Sequence, residues 1–373
     1  MDFSELVAQI ARGFAGFTWG NAIMIAAGLG LMTLAVVKEY EPVLLLPIGF
    51  GCVLANVGMS TQHGIFKVLY DAGIASELFP LLIFIGVGAM IDFRPLLAMP
   101  QMALLGAAGQ FGIYGTLLLA LALGFPLNQA ASIGVIGAID GPTAIFVTTK
   151  LAPEILAPVA VAAYSYMSLI PIIQVPVMKW LTTRKERLIR MEYAPRPVPR
   201  SVVIAFPIAV TIAVSLIAPD AAPLIATLML GNLLRESGVV ERLSKAAQNE
   251  IINVATLFLG LTIGATMTAQ SFLNARTLMI LGLGFLAFVL DTVAGLLFGK
   301  LMAFVTRGKI NPLIGACGIS AFPMAGRLAA QVAKEEDFDN FILMHAMGAN
   351  TAGQLGSVIA GGLLLALTLG FLH

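Results

Sequence analysis

Asp140 is an acidic residue inside a long apolar stretch, in the string Gly-Ala-Ile-Asp-Gly-Pro-Thr. An ionised carboxylate inside a membrane costs at least about 2.5 kcal/mol, and it is tolerated when it binds a cation, titrates or pairs with a base. Gly137, Gly141 and Pro142 free backbone groups beside it, and Thr143 adds a hydroxyl. Because hard cations prefer carboxylate, hydroxyl and carbonyl oxygens, the string predicts a Na⁺ or H⁺ site. The alternative is a structural aspartate that caps the following half-helix.

A second polar break follows at a fixed distance from the first. Residues 133–144 read IGVIGAIDGPTA and residues 314–325 read IGACGISAFPMA, so both match I-G-x-x-G-x-x-x-x-P-x-A. Ser320 lies one position before the equivalent of Asp140, and its neutral oxygen suits a cation without adding charge. The candidate functional residues of the second break are Asn311, Gly315, Ser320 and Arg327.

The remaining polar candidates allow more than one interpretation. Asn311 is expected to cap its half-helix. Arg327 is always charged and its fork fits a carboxylate, so it is predicted to hold an anionic substrate or to pair with Asp140; the alternative is a cytoplasmic anchor. Tyr164 and Tyr166 are candidates for proton transfer or cation binding, against a lipid-facing role.

Two further polar side chains lie within apolar segments. Asn350, in the string MGANTAG, is either a cation ligand or a contact between helices. Asp291 lies well inside an apolar span, where a charge is expensive, so it is a further candidate for titration with no evident partner.

The amino-acid composition indicates the class of protein to which these residues belong. Of 373 residues, 59% are hydrophobic and 11% are charged, whereas a soluble domain carries roughly 25% charge. This excludes an ordinary cytoplasmic enzyme, a nucleic-acid binder and a disordered chain. The pattern predicts an all-α polytopic membrane protein. Cys52 and Cys317 lie in separate apolar segments and predict no disulfide.

Apolar stretches give about ten transmembrane helices, since a span needs about 20 apolar residues and fewer where protein shields it. Residues 128–151 and 310–327 are broken by Gly and Pro, and they are predicted to be re-entrant because irregular backbone must be satisfied by protein or water. Residues 1–18 are predicted to be an interfacial segment, helical over residues 3–16. The predicted spans are 19–37, 42–57, 77–91, 101–124, 153–180, 200–218, 221–234, 250–266, 277–303 and 339–371.

A basic, proline-containing linker at residues 184–200 is predicted to be cytoplasmic by the positive-inside rule. It separates a first membrane repeat, 19–183, from a second, 201–373. If successive spans alternate in direction from this cytoplasmic linker, both termini lie outside. This topology also places nearly all Lys and Arg residues inside, the exceptions being Arg12, Lys67, Lys150 and Arg276.

Glycines recur in the two repeats in the same order and at nearly the same offset. Gly51 matches Gly231, and Gly88 matches Gly264. Because the paired segments run in opposite directions in this topology, we expect an inverted repeat whose broken helices build an ion site near the midplane. The alternative is a helix bundle with ordinary packing glycines.

Several long strings of the sequence resemble those of a known protein family. The chain resembles the β subunits of the Na⁺-translocating, biotin-dependent decarboxylases, whose complexes act on oxaloacetate, methylmalonyl-CoA, glutaconyl-CoA or malonate. The sequence departs from the family's usual pattern at two places. Ala138-Ile139 replaces part of the string GGADGPT that the family often has, and Phe322 stands before Pro323 where the family often has Ala-Val-Pro-Met. Neither change removes a chemical group. The strings are EPVLLLPIGFG, ELFPLLIFIGVGAMIDF, GAIDGPTAIF, VAAYSYMSLIPIIQ, GNLLRESGVVERL, NPLIGACGISAFPMAGR and MHAMGANTAGQ.

The resemblance implies specific roles. Asp140 corresponds to the family's essential intramembrane carboxylate, Tyr166 to its essential tyrosine, and Asn350 to the Asn of its MGxN motif. Arg327 would bind the carboxylate of carboxybiotin and is predicted to be catalytic together with Asp140 and Tyr166. The implied Na⁺ ligands are Asp140, Tyr166, Asn311, Gly315, Ser320 and Asn350.

The resemblance also implies the setting. Carboxybiotin arrives on a biotin carrier or carboxyltransferase subunit, loses CO₂, and the released free energy exports Na⁺; biotin is not attached to this chain. Further expected partners are a small γ/δ-type membrane subunit, membrane lipids and other copies of the chain, with a trimer expected, in the cytoplasmic membrane of a prokaryote. The rival hypotheses are an inverted-repeat secondary Na⁺/anion transporter and a purely structural anchor.

Overall fold

Helices are the only regular secondary structure among the described residues of the computed structural model, which are 17–39, 42–59, 61, 64–192 and 197–372. By length and composition, six described helices are able to cross a membrane, or eight if each of two bent pairs is one span. The all-helical membrane class is therefore confirmed, whereas the count of ten spans is not. The predicted interfacial helix at residues 3–16 lies outside the described residues.

The helices are numbered in chain order, and short 3₁₀ or π turns join several of them. The first part of the chain forms α1 (Trp19–Val37), α2 (Pro42–Asn56), α3 (Gly64–Leu69), α4 (Leu78–Met90), α5 (Arg94–Ala98), α6 (Met102–Ala108), α7 (Phe111–Ala122), α8 (Leu127–Gly134), α9 (Gly141–Leu151) and α10 (Leu156–Leu181). The second part forms α11 (Arg184–Arg187), α12 (Arg200–Ile217), α13 (Ala222–Ser237), α14 (Glu241–Ala246), α15 (Ile252–Thr266), α16 (Ala269–Phe272), α17 (Ala275–Val305), α18 (Met324–Glu336) and α19 (Leu343–Leu372).

Six of these helices form a layer in which neighbours pack in the order α1, α2, α15, α4, α13, α12. Helices α2 and α13 have only 15 and 16 residues. Both are shorter than the roughly 20 residues that an isolated span needs. Each lies between two other helices of the layer, α2 between α1 and α15 and α13 between α4 and α12. Helices that are shielded by protein in this way need fewer apolar residues, and the spans predicted at 42–57 and 221–234 are short by length.

Glycines bring the layer helices into close contact at two places. A Cβ atom on Gly51 would overlap the backbone of α15, and one on Gly264 would overlap that of α2. In the same way, a Cβ on Gly88 would overlap α13 and one on Gly231 would overlap α4. Small residues allow such backbone approach in membrane helices, where van der Waals packing drives association.

The other part of the molecule, which we call the core, contains α6–α10 and α17–α19 and includes both broken segments. Helix α10 bends by 61° between Met167 and Leu169. Pro171 explains this bend, because a proline cannot donate a hydrogen bond to the carbonyl four residues earlier, here that of Met167.

Both segments predicted to be re-entrant are broken helices. In the first, α8 runs into a 3₁₀ turn at Val135–Ala138, Ile139 has a left-handed φ of 53°, and α9 starts after Asp140. In the second, a 3₁₀ helix at Pro312–Gly318 is followed by extended backbone and then by α18. The second segment therefore continues beyond its predicted end at residue 327, to Glu336.

Candidate functional site

The carboxylate of Asp140 is buried in the core, with 5% of the residue exposed. Its Oδ2 accepts hydrogen bonds from Thr143 Oγ1 at 2.7 Å, Gln354 Nε2 at 3.0 Å and Ser357 Oγ at 3.1 Å. No ion pair among the described residues includes Asp140. The charge is thus solvated by neutral donors and is not neutralised by a basic side chain.

The local backbone places Asp140 at the N-terminal end of α9. The left-handed residue Ile139 turns the chain, and Pro142 is well suited to the first turn of the helix. Asp140 is the N-cap residue of α9, but its carboxylate also accepts hydrogen bonds from Gln354 and Ser357 on α19, which weighs against a purely structural cap. The positive end of the helix dipole nevertheless favours a negative charge at this position.

A cavity of about 250 Å³ adjoins Asp140 and lies between the core and the layer. Its wall on the core side includes Tyr164, Ser320 and Gln354. The ring of Tyr164 packs so closely on Gly141 that a Cβ atom there would overlap it. The layer contributes Val43, Leu44, Ile83, Val87, Met90, Ile252, Asn253 and Thr256.

The second break is held by side-chain amides. The carbonyl oxygens of residues 316–319 all accept hydrogen bonds from amides: Gln174 at 2.6 Å, Gln110 at 3.0 Å, and Asn350 at 3.2 and 2.7 Å. These bonds supply what irregular backbone at membrane depth requires. The carbonyl oxygen of each of these three amides is buried and has no hydrogen-bond partner among the described residues.

Two predicted site residues, Ser320 and Asn350, lie next to the backbone of residues 316–319. Ser320 lines the cavity beside Asp140, and its Oγ donates to the carbonyl of Gly353 at 3.2 Å. Asn350 is fully buried, and its Oδ1 is one of the unpartnered oxygens. The structure therefore brings Asp140 and Ser320 to one cavity and leaves an oxygen of Asn350 available for a ligand.

Other predicted residues are engaged elsewhere. Asn311 caps the 3₁₀ helix by accepting from the Leu313 amide, and its Nδ2 donates to the carbonyls of Arg187 and Ile189. The expected cap is thus present, with the linker attached to it. Gly315 packs against Gly295 without room for a Cβ atom.

The positions of Tyr166 and Arg327 are also distinct from the Asp140 cavity. The hydroxyl of Tyr166 donates to the carbonyl of Leu281 at 2.6 Å, and the ring packs on Phe285. Arg327 is exposed and lines a separate surface groove. Asp291 is fully buried, and its Oδ1 accepts from the Gly112 amide, which is the partner that the sequence did not reveal.

Two hydrogen-bond donors to Asp140, Gln354 and Ser357, were not predicted from the sequence. They follow Asn350 by four and seven residues on α19, so all three share one helix face. This spacing is the signal in the sequence that indicates a shared polar face on α19.

A buried carboxylate at facing helix breaks, next to a cavity, is the arrangement that membrane ion-translocating proteins use. The family model for the Na⁺-transporting oxaloacetate decarboxylase beta subunit matches residues 20–368. The chain belongs to this family, and it is accordingly a β subunit of a Na⁺-transporting decarboxylase. The alternative of a secondary transporter is not supported.

Individual relatives agree with this assignment. The chain is 53% identical to the methylmalonyl-CoA decarboxylase subunit beta of Veillonella parvula, over 95% of each chain. It is 51% identical to the glutaconyl-CoA decarboxylase subunit beta of Acidaminococcus fermentans, again over 95% of each. It is 47% identical to the oxaloacetate decarboxylase beta chain of Klebsiella pneumoniae, over 93% of this chain and 94% of that one.

Proposed function

We propose that this subunit decarboxylates carboxybiotin presented by a biotin carrier of a partner subunit and couples the reaction to Na⁺ export through Asp140. The bond between the ureido nitrogen and the carboxylate carbon breaks, CO₂ leaves, and the nitrogen takes a proton from Tyr166 or from water. The observation that carries the proposal is the buried Asp140 carboxylate, which has three neutral donors and no basic partner among the described residues.

Na⁺ is the cargo, and Asp140 supplies its counter-charge. Ser320 faces the same cavity with a neutral oxygen, and Asn350 has an unpartnered oxygen next to the second break. Oxygen donors of this kind suit a hard cation. In this conformation Tyr166, whose hydroxyl is bonded to backbone, serves as a proton donor only after its hydrogen bond to Leu281 opens.

Asn311 and Gly315 fit a supporting role in the same proposal. Every polar atom of the Asn311 amide has a partner in the cap or in the linker, and Gly315 allows the 3₁₀ helix to lie directly on α17. Both residues therefore hold the second break in place while other oxygens bind the ion.

The cavity is oriented toward the cytoplasm in the proposed topology. Its layer residues Leu44, Met90 and Asn253 lie at the ends of α2, α4 and α15 that this topology assigns to the inner side. We infer that this conformation takes up Na⁺ from inside. Since the cavity lies between the core and the layer, movement of one against the other would expose the ion outside.

The inverted repeat forms part of the proposal, with repeats at 19–183 and 201–373 joined by the linker 184–200. Two observations support it. The pair α1–α2 has a counterpart in α12–α13, and the contact of α2 with α15 has a counterpart in that of α13 with α4. The matched glycines lie at these two contacts.

The proposed complex contains a biotin carrier or carboxyltransferase subunit, a small γ/δ-type membrane subunit and several copies of this chain, as a trimer, in the cytoplasmic membrane of a prokaryote. The relatives support partners because they are named as β subunits or β chains, and they are bacterial proteins.

The test is an assay of the purified complex for Na⁺-dependent decarboxylation of free carboxybiotin, with avidin added to a parallel sample that uses the carrier. We expect Na⁺ to be required and avidin to stop the carrier-dependent reaction. Equal rates and equal Na⁺ dependence in the wild type and in Asp140→Asn would refute the assignment of the ion site.

A further inference from the structure

The wall that the layer contributes to the Asp140 cavity is apolar except at two positions. Six of its eight residues are hydrophobic, and the other two are Asn253 and Thr256 on α15. These two are three residues apart, so they share one face of the helix, with Thr256 about 4.5 Å further along its axis. The layer therefore presents a pair of polar side chains to the cavity, on the wall opposite that of Asp140.

The hydroxyl of Thr256 differs from those of the other threonines of α15. Thr262 Oγ1 donates to the Phe258 carbonyl and Thr266 Oγ1 to the Ile263 carbonyl, each at 2.6 Å. Thr256 is only 6% exposed, yet its hydroxyl has no hydrogen-bond partner among the described residues. Because a buried polar group without a partner costs free energy, this hydroxyl is available to a ligand in the cavity.

The polar pair lies at the cytoplasmic end of the cavity in the proposed topology. Asn253 is the second residue of α15 and is exposed. Glu250, three residues earlier, is also exposed and belongs to no ion pair among the described residues. An unpaired carboxylate near the mouth of a cavity raises the local concentration of cations.

The chemistry of the cavity walls favours a cation that binds and then moves on. Hydroxyl and amide oxygens replace part of the hydration shell of Na⁺. Without a charge they hold the ion more weakly than Asp140 does, as a route with several successive sites requires. The cavity has no basic side chain among its described lining residues, so nothing there favours an anion.

We propose that Asn253 and Thr256 form an entry site, at which Na⁺ from the cytoplasm binds before it reaches Asp140, and that Glu250 attracts the ion toward it. The inference rests on the proposed Na⁺ export through Asp140. Because the entry site belongs to the layer and Asp140 to the core, movement of one against the other separates them. The entry site therefore serves only the conformation that is open to the inside.

The test measures the Na⁺ concentration for half-maximal decarboxylation of carboxybiotin by the full complex, in proteoliposomes whose cytoplasmic face points outward. Thr256→Val replaces the hydroxyl by a methyl group, and we expect this concentration to rise about fivefold, the equivalent of about 1 kcal/mol. We expect kcat at saturating Na⁺ to stay unchanged, and Thr256→Ser to restore the wild-type value. Thr262→Val is the matched control on the same helix, because its hydroxyl is bonded to backbone and does not line the cavity.

A second measurement separates entry from binding at Asp140. Na⁺ loaded into the lumen reaches the site from the other side, and its half-inhibitory concentration should be equal in the wild type and in Thr256→Val. Asn253→Leu should raise the cytoplasmic half-maximal concentration about twofold, since this exposed amide is already hydrated. Glu250→Gln should also raise it, and choline chloride should abolish that difference because salt screens an exposed charge.

Equal half-maximal Na⁺ concentrations in Thr256→Val and Thr262→Val would show that the proposal is wrong. It is also overturned if Thr256→Val changes the cytoplasmic and lumenal values by the same factor, or lowers kcat alone. If Thr256→Val shifts the Na⁺ dependence and Asp140→Asn does not, the entry site stands while the proposed role of Asp140 fails. If the wild-type rate does not depend on Na⁺ at all, the proposed function fails and the entry site fails with it.

Discussion

The two helix breaks share a sequence pattern but solve different physical problems. At the first break, hydroxyl and amide donors surround a carboxylate that has no basic partner among the described residues. At the second, amides saturate consecutive backbone carbonyls and no acidic side chain is present between residues 311 and 325. The first break therefore carries the charge that a cation needs, whereas the second provides a neutral, firmly held wall. Segments that match in sequence therefore need not have the same function.

The largest effect should follow from removing the charge at the first break. Asp140→Asn keeps an acceptor oxygen but loses the negative charge. We expect the Na⁺-dependent decarboxylation rate to fall by about 100-fold or more, because in the proposed site this charge acts directly on the ion. The measurement is the initial rate of carboxybiotin decarboxylation over a range of Na⁺ concentrations.

The control for this prediction is Asp291→Asn, which alters a fully buried carboxylate on α17. Asp291 accepts a hydrogen bond from Gly112 and lines neither the cavity nor the groove. Its asparagine variant should keep the wild-type Na⁺ dependence. If Asp291→Asn behaves like Asp140→Asn, the charge essential for Na⁺ is not confined to the first break.

Substitution of glutamine side chains should distinguish a residue that holds the backbone of the second break from one that contacts the proposed ion site. Gln174→Leu leaves the buried carbonyl of Ala316 without its amide donor, and we expect a loss of about 1–3 kcal/mol in stability, measured as a lower Tm of the purified protein. Gln354→Leu removes one of three donors to Asp140, so it should shift the Na⁺ concentration for half-maximal rate by about tenfold. The reverse pattern, with Gln354 governing Tm and Gln174 governing Na⁺, would contradict the division of roles.

Glycines at matched positions of the two breaks should differ in their tolerance of a methyl group. In Gly315→Ala the new Cβ would overlap the Gly295 carbonyl oxygen, whereas in Gly134→Ala it would lie 2.7 Å from that of Ile113. We expect Gly315→Ala to cost about 1–3 kcal/mol of stability and Gly134→Ala to cost less. Gly282→Ala, which meets no atom within 4 Å, is the control and should not lower Tm. Equal losses at positions 134 and 315 would mean that both breaks are packed equally tightly.

The smallest effect concerns the linker, whose Arg187 contacts Asn311 at the start of the second break and Glu336 at the end of α18. Hydrogen bonding by Arg187 holds the pKa of Glu336 below its usual value of 4.5. Because the folded-state pKa is lowered, the stabilisation is present above that usual value and is lost as the pH falls through the lowered pKa. The Tm of Glu336→Gln should be slightly below wild type at neutral pH, and the two should converge in acid. Asp220→Asn, which breaks no ion pair of the described residues, should show no such convergence.

Much of the site was predictable because charge is scarce in this chain. An acid next to Gly and Pro in an apolar stretch could only be Asp140, and the second break followed from its matching glycines and proline. Which tyrosine lies beside Asp140 was not predictable. Tyr164 and Tyr166 are two residues apart on α10, about 200° around the helix, and the packing of Gly141 against Tyr164 decides between them.

The sequence alone determined the all-helical membrane class, the two breaks and the membership of the decarboxylase family, because these depend on local composition and on contiguous sequence strings. Only the tertiary structure decided that Gln354 and Ser357 bind Asp140, that amides far apart in sequence hold residues 316–319, and that Arg327 lies in a groove apart from the Asp140 cavity. These contacts join residues separated by up to 217 positions. No periodicity encodes such distances, since they arise from how the core packs against itself and against the layer.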